Sequence, residues 1–460
     1  RLRPPGGGWL RLLGVFPLGA VRARADPDRP WPDDRGSMPL TVLVRDVILR
    51  DGRTLRLRPP READRDNLLA FLAGLSEQSI YQRFHGFPSL TPELVAPFLD
   101  PDWRERGALV GTFGEGEAER VVALANWARL RDPSCAEVAF VVADELQGLG
   151  AGTRLLEQLA ETAAASGIET FVAEVLPANR AMLQVFEDAG FAISRRLEDG
   201  EIEVRLALEP TGAYQERVDM RDHVAVTASL RPFFQPRTVA VIGASPKRGS
   251  IGGELFRNIL AGDFAGAAYP INRSGEPVGG VRAYRSLMEI ADPIELAVVC
   301  VSAERVLEAA DEALRAGTKA LCVISAGFAE TGPEGARRQD ALLAAARAYG
   351  ARLIGPNCLG IAVSRCRLNA TFGPRPLRPG DVAFSSQSGA LGLALLEAAD
   401  ARGLGLSAFV SIGNKADVSS NDLLEYWEDD PDSAVILLYV ESFGNPRKFA
   451  RLARRVARRK

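Results

Sequence analysis

Three stretches of this chain bring glycine or serine to the junction between an apolar run and a helical pattern, where an anion can be held. The first reads EVAFVVADELQGLGAG over 137–152. Val138 to Val142 has the length and β-branched content of a buried strand, and QGLGAG follows at Gln147 to Gly152. TRLLEQLAETAAAS then sets Leu155, Leu156 and Leu159 on one helical face, with Gly167 at the C-cap. Glycine permits close backbone approach, and the first N–H groups of a helix point at a ligand with the macrodipole behind them. The second stretch is RTVAVIGAS running into PKRGSIGGELFRNIL. Its Gly243, Gly249 and Gly252 do not make G-x-G-x-x-G, and the next strand, AAYPINR, ends in Asn272-Arg273 where a dinucleotide site carries an acid. An amide and a cation there suit a ligand with an extra phosphate. The third is DVAFSSQSGALGLALLEAA: strand, serine-rich turn, helix. Two carboxylates flank the first stretch, Glu137 at its start and Glu174 in the strand-like FVAEVL. A carboxylate can take a proton from a neighbouring group, and partial burial moves its pKa toward neutrality.

The elements that must position these residues belong to an ordinary chain. Its 460 residues, 47% hydrophobic and 25% charged, suffice for two or three domains. A net charge of −3 provides no electrostatic case for nucleic acid or a membrane surface, and no apolar run reaches a membrane span. Five cysteines (Cys135, Cys300, Cys322, Cys358 and Cys366) form no C-x-x-C pair, which predicts reduced thiols and a cytoplasmic setting. Two histidines, His85 and His223, argue against histidine-rich metal chemistry, and no metal site is expected.

Residues 1–39 are rich in Arg, Pro and Gly and are expected to be a disordered leader ahead of a start at Met38; Arg11 and Pro17 interrupt its one apolar stretch. TVLVRDVILRDGRTLRLRPP alternates like a hairpin around Asp51-Gly52, READRDNLLAFLAGL is an amphipathic helix, and Val121 to Ala128 is a strand. Residues 211–230 are polar and mixed and read as a linker with loosely packed ends. From Arg231 strands alternate with helices through LAVVCVSA, KALCVISAGF and ARLIGPNCLG, a doubly wound pattern. A second α/β unit follows, and the final RKFARLARRVARRK has no stop signal, as in a truncated helix. The expected domains are 40–210, 231–365 and 366–460.

The pairing of Q-x-x-G-x-G with EVLPANRAMLQVFEDAGF (174–191) resembles the GNAT family of acetyl-CoA-dependent N-acetyltransferases. The resemblance implies an α+β fold in which Gln147, Gly148, Gly150, Gly152 and Thr153 hold the CoA phosphates. It also implies that the preceding strand splays to admit pantetheine, that Asn179 touches pantetheine or the departing thiol, and that Glu137, with Glu174 as alternative, is the base. Where the family often places a tyrosine acid this chain has Phe186. Ser76, Tyr81, Arg83 and Phe84 resemble a pattern of one subgroup, the protein acetyltransferases, over whose acceptor site His85 is either a substrate contact or a packing residue.

Residues 231–460 resemble the CoA-binding and ligase domains of nucleoside-diphosphate-forming acyl-CoA synthetases through VAVIGAS, SAGFAETG, GPNCLG, SSQSGAL, SIGNKAD and YVESFGNPRKF. That implies a Rossmann-like CoA-binding domain and an incomplete flavodoxin-like ligase domain. Gly243, Ser245, Lys247 and Asn272 are then expected near CoA, Ser302 and Asn357 at its thioester end, and Ser386, Ser388 and Gly389 around a phosphate. Glu441 matches the carboxylate that steadies a phosphohistidine. No histidine follows His223, so this half is expected to bind CoA or acyl-CoA without completing a synthetase cycle; only if the chain is part of a working ligase are that histidine and an ATP-grasp domain using ATP or ADP expected beyond it.

A GNAT domain joined to such a region resembles the Pat-type protein lysine acetyltransferases. That implies acetyl-CoA as substrate and possible effector, and as partner a lysine-bearing protein such as an AMP-forming acyl-CoA synthetase. The Arg- and Ala-rich composition suits a GC-rich bacterium. The competing expectations are an ADP-forming acetate–CoA ligase and a non-catalytic acyl-CoA-binding module.

Overall fold

A computed structural model describes residues 44–114, 119–198, 200–209, 211–373 and 377–460; the leader expected at 1–39, with its start at Met38, lies outside them. The chain divides into two compact units, one holding most residues up to Met220 and the other most of those from Arg221 onward.

The first unit is built on one eight-stranded sheet in the order β1-β2-β3-β4-β5-β6-β8-β7. Its strands are β1 (Arg45–Ile48), β2 (Thr54–Arg58), β3 (Arg106–Phe113), β4 (Arg120–Arg129), β5 (Cys135–Val142), β6 (Thr170–Val175), β7 (Ala192–Glu198) and β8 (Glu201–Ala207). Helices α1 (Arg65–Ala73), α2 (Glu77–Phe84), α3 (Ala151–Ala165) and α4 (Arg180–Ala189) accompany it. β4 is buried along most of its length, which is why it reads as a continuous apolar run. β7, AISRRLE, is almost wholly exposed, and its charges guard a free edge. That composition hides it from any search for apolar alternation. α3 lays Leu155, Leu156 and Leu159 into a core shared with Phe140, Phe171 and Phe186.

The segment read as a loose linker is a helix, α5 (Gly212–Phe234). Its start is fastened by Tyr214, which stacks on Phe191 with ring centroids 4.5 Å apart. Its end buries His223, Val226, Leu230, Phe233 and Phe234. Phe233 and Phe234, which anchor it, lie past the polar window that suggested a linker.

The second unit holds two sheets. β9 (Thr238–Ile242), β10 (Ala267–Ile271), β11 (Leu296–Val299), β12 (Ala320–Val323) and β13 (Arg352–Ile354) form a parallel sheet in the order β10-β9-β11-β12-β13. Helices α6 (Ile251–Ala261), α7 (Ala303–Arg315) and α8 (Pro333–Ala348) alternate with these strands. β11 and β12 are wholly buried, consistent with sheet faces covered by helices. The strand order reverses between β9 and β11, and ligands of such sheets bind beyond the carboxyl ends at that point.

β14 (Gly360–Val363), β15 (Leu368–Thr371), β16 (Pro379–Ser386), β17 (Leu406–Ser411) and β18 (Val435–Tyr439) form the other sheet, ordered β15-β14-β17-β16-β18. With it run α9 (Gly389–Ala401), α10 (Ser420–Glu428) and α11 (Pro446–Val456). β14 already belongs to this sheet, so the sheet changes between Ile354 and Gly360. The apolar LGIAV simply prolongs the preceding strand pattern, so nothing local marks the crossing.

At the reversal Gly243 has φ 94°, and a Cβ there would stand 2.6 Å from the Cys300 carbonyl oxygen. Gly243→Ala should therefore destabilise the second unit by about 2–4 kcal/mol. Scanning calorimetry measures this, and an unchanged melting profile would show that the backbone yields freely there.

Candidate active site

The site in the first unit begins where two strands stop pairing. β5 and β6 run parallel and bond only at Cys135↔Thr170, Ala136↔Phe171 and Glu137↔Val172. Beyond Glu137, β5 continues to Val142 against β4, while β6 continues to Val175 against β8. Their facing edges thus diverge and leave main-chain groups turned into a cleft. Glu137 stands at the fork.

Side-chain alternation sorts what lines it. Val138, Phe140 and Val142 are buried in the core with α3, where Phe140 meets Phe186 edge-on at 5.7 Å. Phe186 is buried and offers no proton. The opposite face carries Glu137, and Glu174 shares it, being two residues beyond Val172, the ladder partner of Glu137. Burial, with the like charge of Glu174, pushes the Glu137 carboxyl up to about 7 against the pull of Arg83. Burial also raises Glu174, with Glu201 adding to the rise, His85 opposing it and Glu203 adding again. Glu203 lies directly across the ladder from Glu174. His85 Nδ1 lies 3.0 Å from Glu201 Oε1, so the histidine braces this acidic wall. The sequence reading named Glu137 and Glu174 but missed Glu201 and Glu203, which sit on β8 and become neighbours only through strand pairing.

At the far end of β5 a short 3-10 turn, Asp144–Leu146, leads into the glycine turn. Gly150 is the N-cap of α3 at φ 90°, a conformation that only glycine adopts readily. The first intrahelical bond runs from Arg154 N to Gly150 O, so the N–H groups of Ala151, Gly152 and Thr153 open the helix toward the cleft end of β5. Gly148 also has positive φ, and Thr153 is buried. The Gln147 side chain is exposed, but its amide nitrogen is tied into the protein. Its Nε2 donates to Ser79 Oγ at 3.1 Å and Asp144 Oδ1 at 3.2 Å. Asp144 also accepts from Ser76 N at 2.8 Å and from the hydroxyls of Ser76 and Ser79 at 3.0 and 2.5 Å. This hub, missed in the sequence, ties the turn to α2; the Ser76/Ser79 spacing was its only trace. Asn179 is buried and caps α4, its Oδ1 accepting from Met182 N at 3.1 Å. That leaves Nδ2 as the group it can turn toward a ligand.

In the second unit the expected residues gather at the carboxyl ends of the parallel strands. Gly243, Ser245 and Lys247 follow β9, Asn272 follows β10, Ser302 caps α7 after β11, and Asn357 follows β13. Lys247 and Ser302 are exposed. Asn272 is occupied otherwise: Nδ2 donates to Glu276 O and Oδ1 accepts from Ser274 Oγ, each at 2.9 Å, closing its own loop. Asn357 Nδ2 donates to Asn414 Oδ1 at 3.3 Å.

In the other sheet Ser388 Oγ caps α9 at Leu391 N, and Ser386 Oγ donates to Ser388 O at 2.6 Å. The turn at Gly389 therefore offers backbone N–H groups and the Ser388 O–H, whose oxygen accepts from Leu391 N while its proton stays free to donate. Gln387 Oε1 accepts from Glu441 N at 2.9 Å and Ser442 N at 3.1 Å, and Lys415 Nζ donates to Ser442 O at 2.7 Å. Gln387 and Lys415, unassigned from sequence, join this turn to the loop carrying the exposed Glu441. Among the described residues no helix is long and apolar enough to cross a membrane.

Residues 77–191 match the Acetyltransferase (GNAT) family, 237–364 a CoA binding domain, and 379–460 a succinyl-CoA ligase like flavodoxin domain. The α subunit of an ADP-forming acetate–CoA ligase of Pyrococcus furiosus is 42% identical over 236 residues, covering 50% of this chain and 51% of that protein. The chain thus spans about half the length of that relative, and a third of an ADP-forming acetate–CoA ligase of Archaeoglobus fulgidus that is 42% identical over 231 residues. The GNAT domain of S. lividans PAT is 36% identical, covering 37% of this chain and 99% of that one at a TM-score of 0.35. An acetyltransferase of Pseudomonas aeruginosa is 32% identical over 162 residues, covering 35% of this chain and 87% of that protein. With that acetyltransferase matched over most of its length, and the family pattern lying on the splayed strands and glycine turn, the chain belongs to the GNAT acetyltransferase family.

Proposed function

We propose that this protein transfers the acetyl group of acetyl-CoA to lysine side chains of other proteins, with AMP-forming acyl-CoA synthetases as the target class. The observation that carries this is the placement of Glu137, half-buried and near-neutral in pKa, at the fork of a cleft whose other end is an anion-binding helix start. CoA phosphates at Ala151 to Thr153 run the pantetheine arm down the cleft toward Glu137. Glu174, Glu201 and Glu203 supply a wall that draws in a cationic side chain.

Proton removal sets the energy scale. A free lysine ammonium lies about 3 units above Glu137, an uphill transfer of roughly 4–5 kcal/mol that desolvation of the ammonium in the cleft reduces. The amine then attacks the thioester carbon, N–H groups on the unpaired edge of β5 polarise the carbonyl, and CoA leaves as the thiol, solvent supplying its proton. The second unit binds acyl-CoA at the β9/β11 reversal and reports its level to the first. Reduced cysteines suit a cytoplasmic setting; all five are free thiols.

A second reading has one specific observation behind it, the 42% identity to an ADP-forming ligase subunit across 236 residues. In that reading residues 231–460 form part of an acetate–CoA ligase, and the turn at Ser386 to Gly389 holds the transferred phosphate. Production of ADP from ATP, acetate and CoA would favour it. Acetylation of a protein lysine without nucleotide favours the first.

Four outcomes are expected. The kcat/KM for acetyl transfer should climb about tenfold per pH unit up to about 7 and then level, because Glu137 must be ionised to act. Glu137→Gln should abolish that limb and slow transfer by roughly a hundredfold; a preserved limb would move the role to Glu174. Gly150→Val, a β-branched residue forced to φ 90°, should weaken CoA binding in the first unit by at least about tenfold, and unaltered calorimetric affinity in the folded variant would contradict the turn's assignment. Titration of the intact chain with acetyl-CoA should give two equivalents, falling to one in Gly150→Val. A single equivalent in both would leave the sensing role without support.

A further inference from the structure

Arg83 is a cation buried where the fold gains little from it. It follows Ser79 and Ile80 on the inner face of α2 and is 8% exposed. Its guanidinium carbon lies 5.3 Å from the centre of the Phe84 ring and 5.8 Å from that of Phe98. Its Nη2 donates to the amide Oδ1 of Asn126 at 2.5 Å, and its Nε has no hydrogen-bond partner. Elsewhere this chain handles a buried arginine differently: Arg58 reaches both oxygens of Asp64 at 2.7 Å. A guanidinium cannot shed its charge, and burying it without a contacting carboxylate costs several kcal/mol. Packing alone would be served better by a neutral side chain.

Strand pairing shows what the charge faces. Asn126 pairs with Ala139, and Ala128 pairs with Glu137. Alternate residues share a face, so Asn126 and Glu137 are diagonal neighbours on the side of the sheet that meets α2. The amide that holds Arg83 therefore sets its charge beside Glu137, without a direct ion pair that would occupy the carboxylate.

We infer, on the basis of the proposed acetyl transfer, that Arg83 is a positioning residue whose buried charge keeps Glu137 ionised for its work as base. The groups around Glu137 support this. From β6 comes Glu174, a like charge; from β4 come the neutral Asn126 and Ala128; from α2 comes Arg83 alone. Glu174 faces Glu201 and Glu203 from β8 and His85 after α2, and that histidine is held by Glu201. Remove Arg83 and Glu137 keeps its burial and its like-charged neighbour with nothing opposing them. It then holds its proton at neutral pH. Glu174 is opposed only by His85, which Glu201 already holds at 3.0 Å, whereas Glu137 has a guanidinium bound by no carboxylate, and that assigns the base role to Glu137. The field acts at short range through protein, so salt screens it little.

The test is the pH profile of kcat/KM for the full chain with acetyl-CoA and a lysine peptide. In Arg83→Gln the acid limb should move up by about one unit, with the rate at high pH returning to within a few-fold of wild type. Arg83→Lys should hold the limb near its wild-type position. Asn126→Asp covers the case in which Arg83→Gln does not fold: it gives the guanidinium a contacting carboxylate, neutralises its field, and should also move the limb up. A limb that stays put in Asn126→Asp or Arg83→Gln, with rate lost equally at every pH, would reduce Arg83 to packing and overturn the inference. A limb absent from wild type, or surviving Glu137→Gln, would overturn the base assignment and this inference with it. A limb lost in Glu137→Gln but indifferent to Arg83 and Asn126 overturns the inference alone.

Discussion

The parting of β5 from β6 after a single short ladder is the constraint on which the first unit depends. Two parallel strands that stay paired satisfy each other's backbone and leave no room for a ligand. These two bond at three residue pairs and then serve different neighbours, β4 on one side and β8 on the other. The main-chain groups left facing the cleft are costly without a partner, and an extended ligand with amide groups supplies one. The fork also places Glu137 at the depth where protein is dense enough to raise its pKa yet solvent is still close.

What keeps the cleft aligned with its anion site is the hub at Asp144. One carboxylate collects Ser76, Ser79 and Gln147 and thereby fixes the end of β5, the glycine turn and the start of α2 together. α2 in turn delivers Arg83 to the face of Glu137. The glycine turn and the face that carries Glu137 are consequently joined through one short helix, and a change at the hub would be felt by both.

The second unit repeats the strand–turn–helix device twice with different chemistry. At β9 the glycine backbone packs so closely on Cys300 that a side chain is excluded. At β16 the Ser386 hydroxyl donates within the turn, while Ser388 Oγ accepts from Leu391 N and keeps its own O–H beside the backbone N–H groups of the helix start. Asn272 closes a local loop with one Nδ2 donor and one Oδ1 acceptor bond, which leaves its second N–H and second lone pair at the carboxyl end of β10.

Local pattern was enough to locate β4, β5, α3 and the glycine turns, because burial on both faces produces apolar runs and because φ near 90° at Gly150 and Gly243 excludes other residues. It was enough to name Glu137 and Glu174. It was not enough for β7, whose exposed charges carry no periodic signal, nor for α5, whose anchoring aromatics lie beyond its polar start, nor for the sheet change before Gly360. Glu203 opposite Glu174, Asn126 beneath Arg83 and Asp144 under Ser76 are separated in sequence by tens of residues and meet only through strand register and helix docking. Sequence by itself determined where the glycine and serine turns fall and which carboxylates stand beside the first of them. Tertiary structure decided the electric field those residues feel, since burial and the charges of distant segments exist only once the sheet has closed around them.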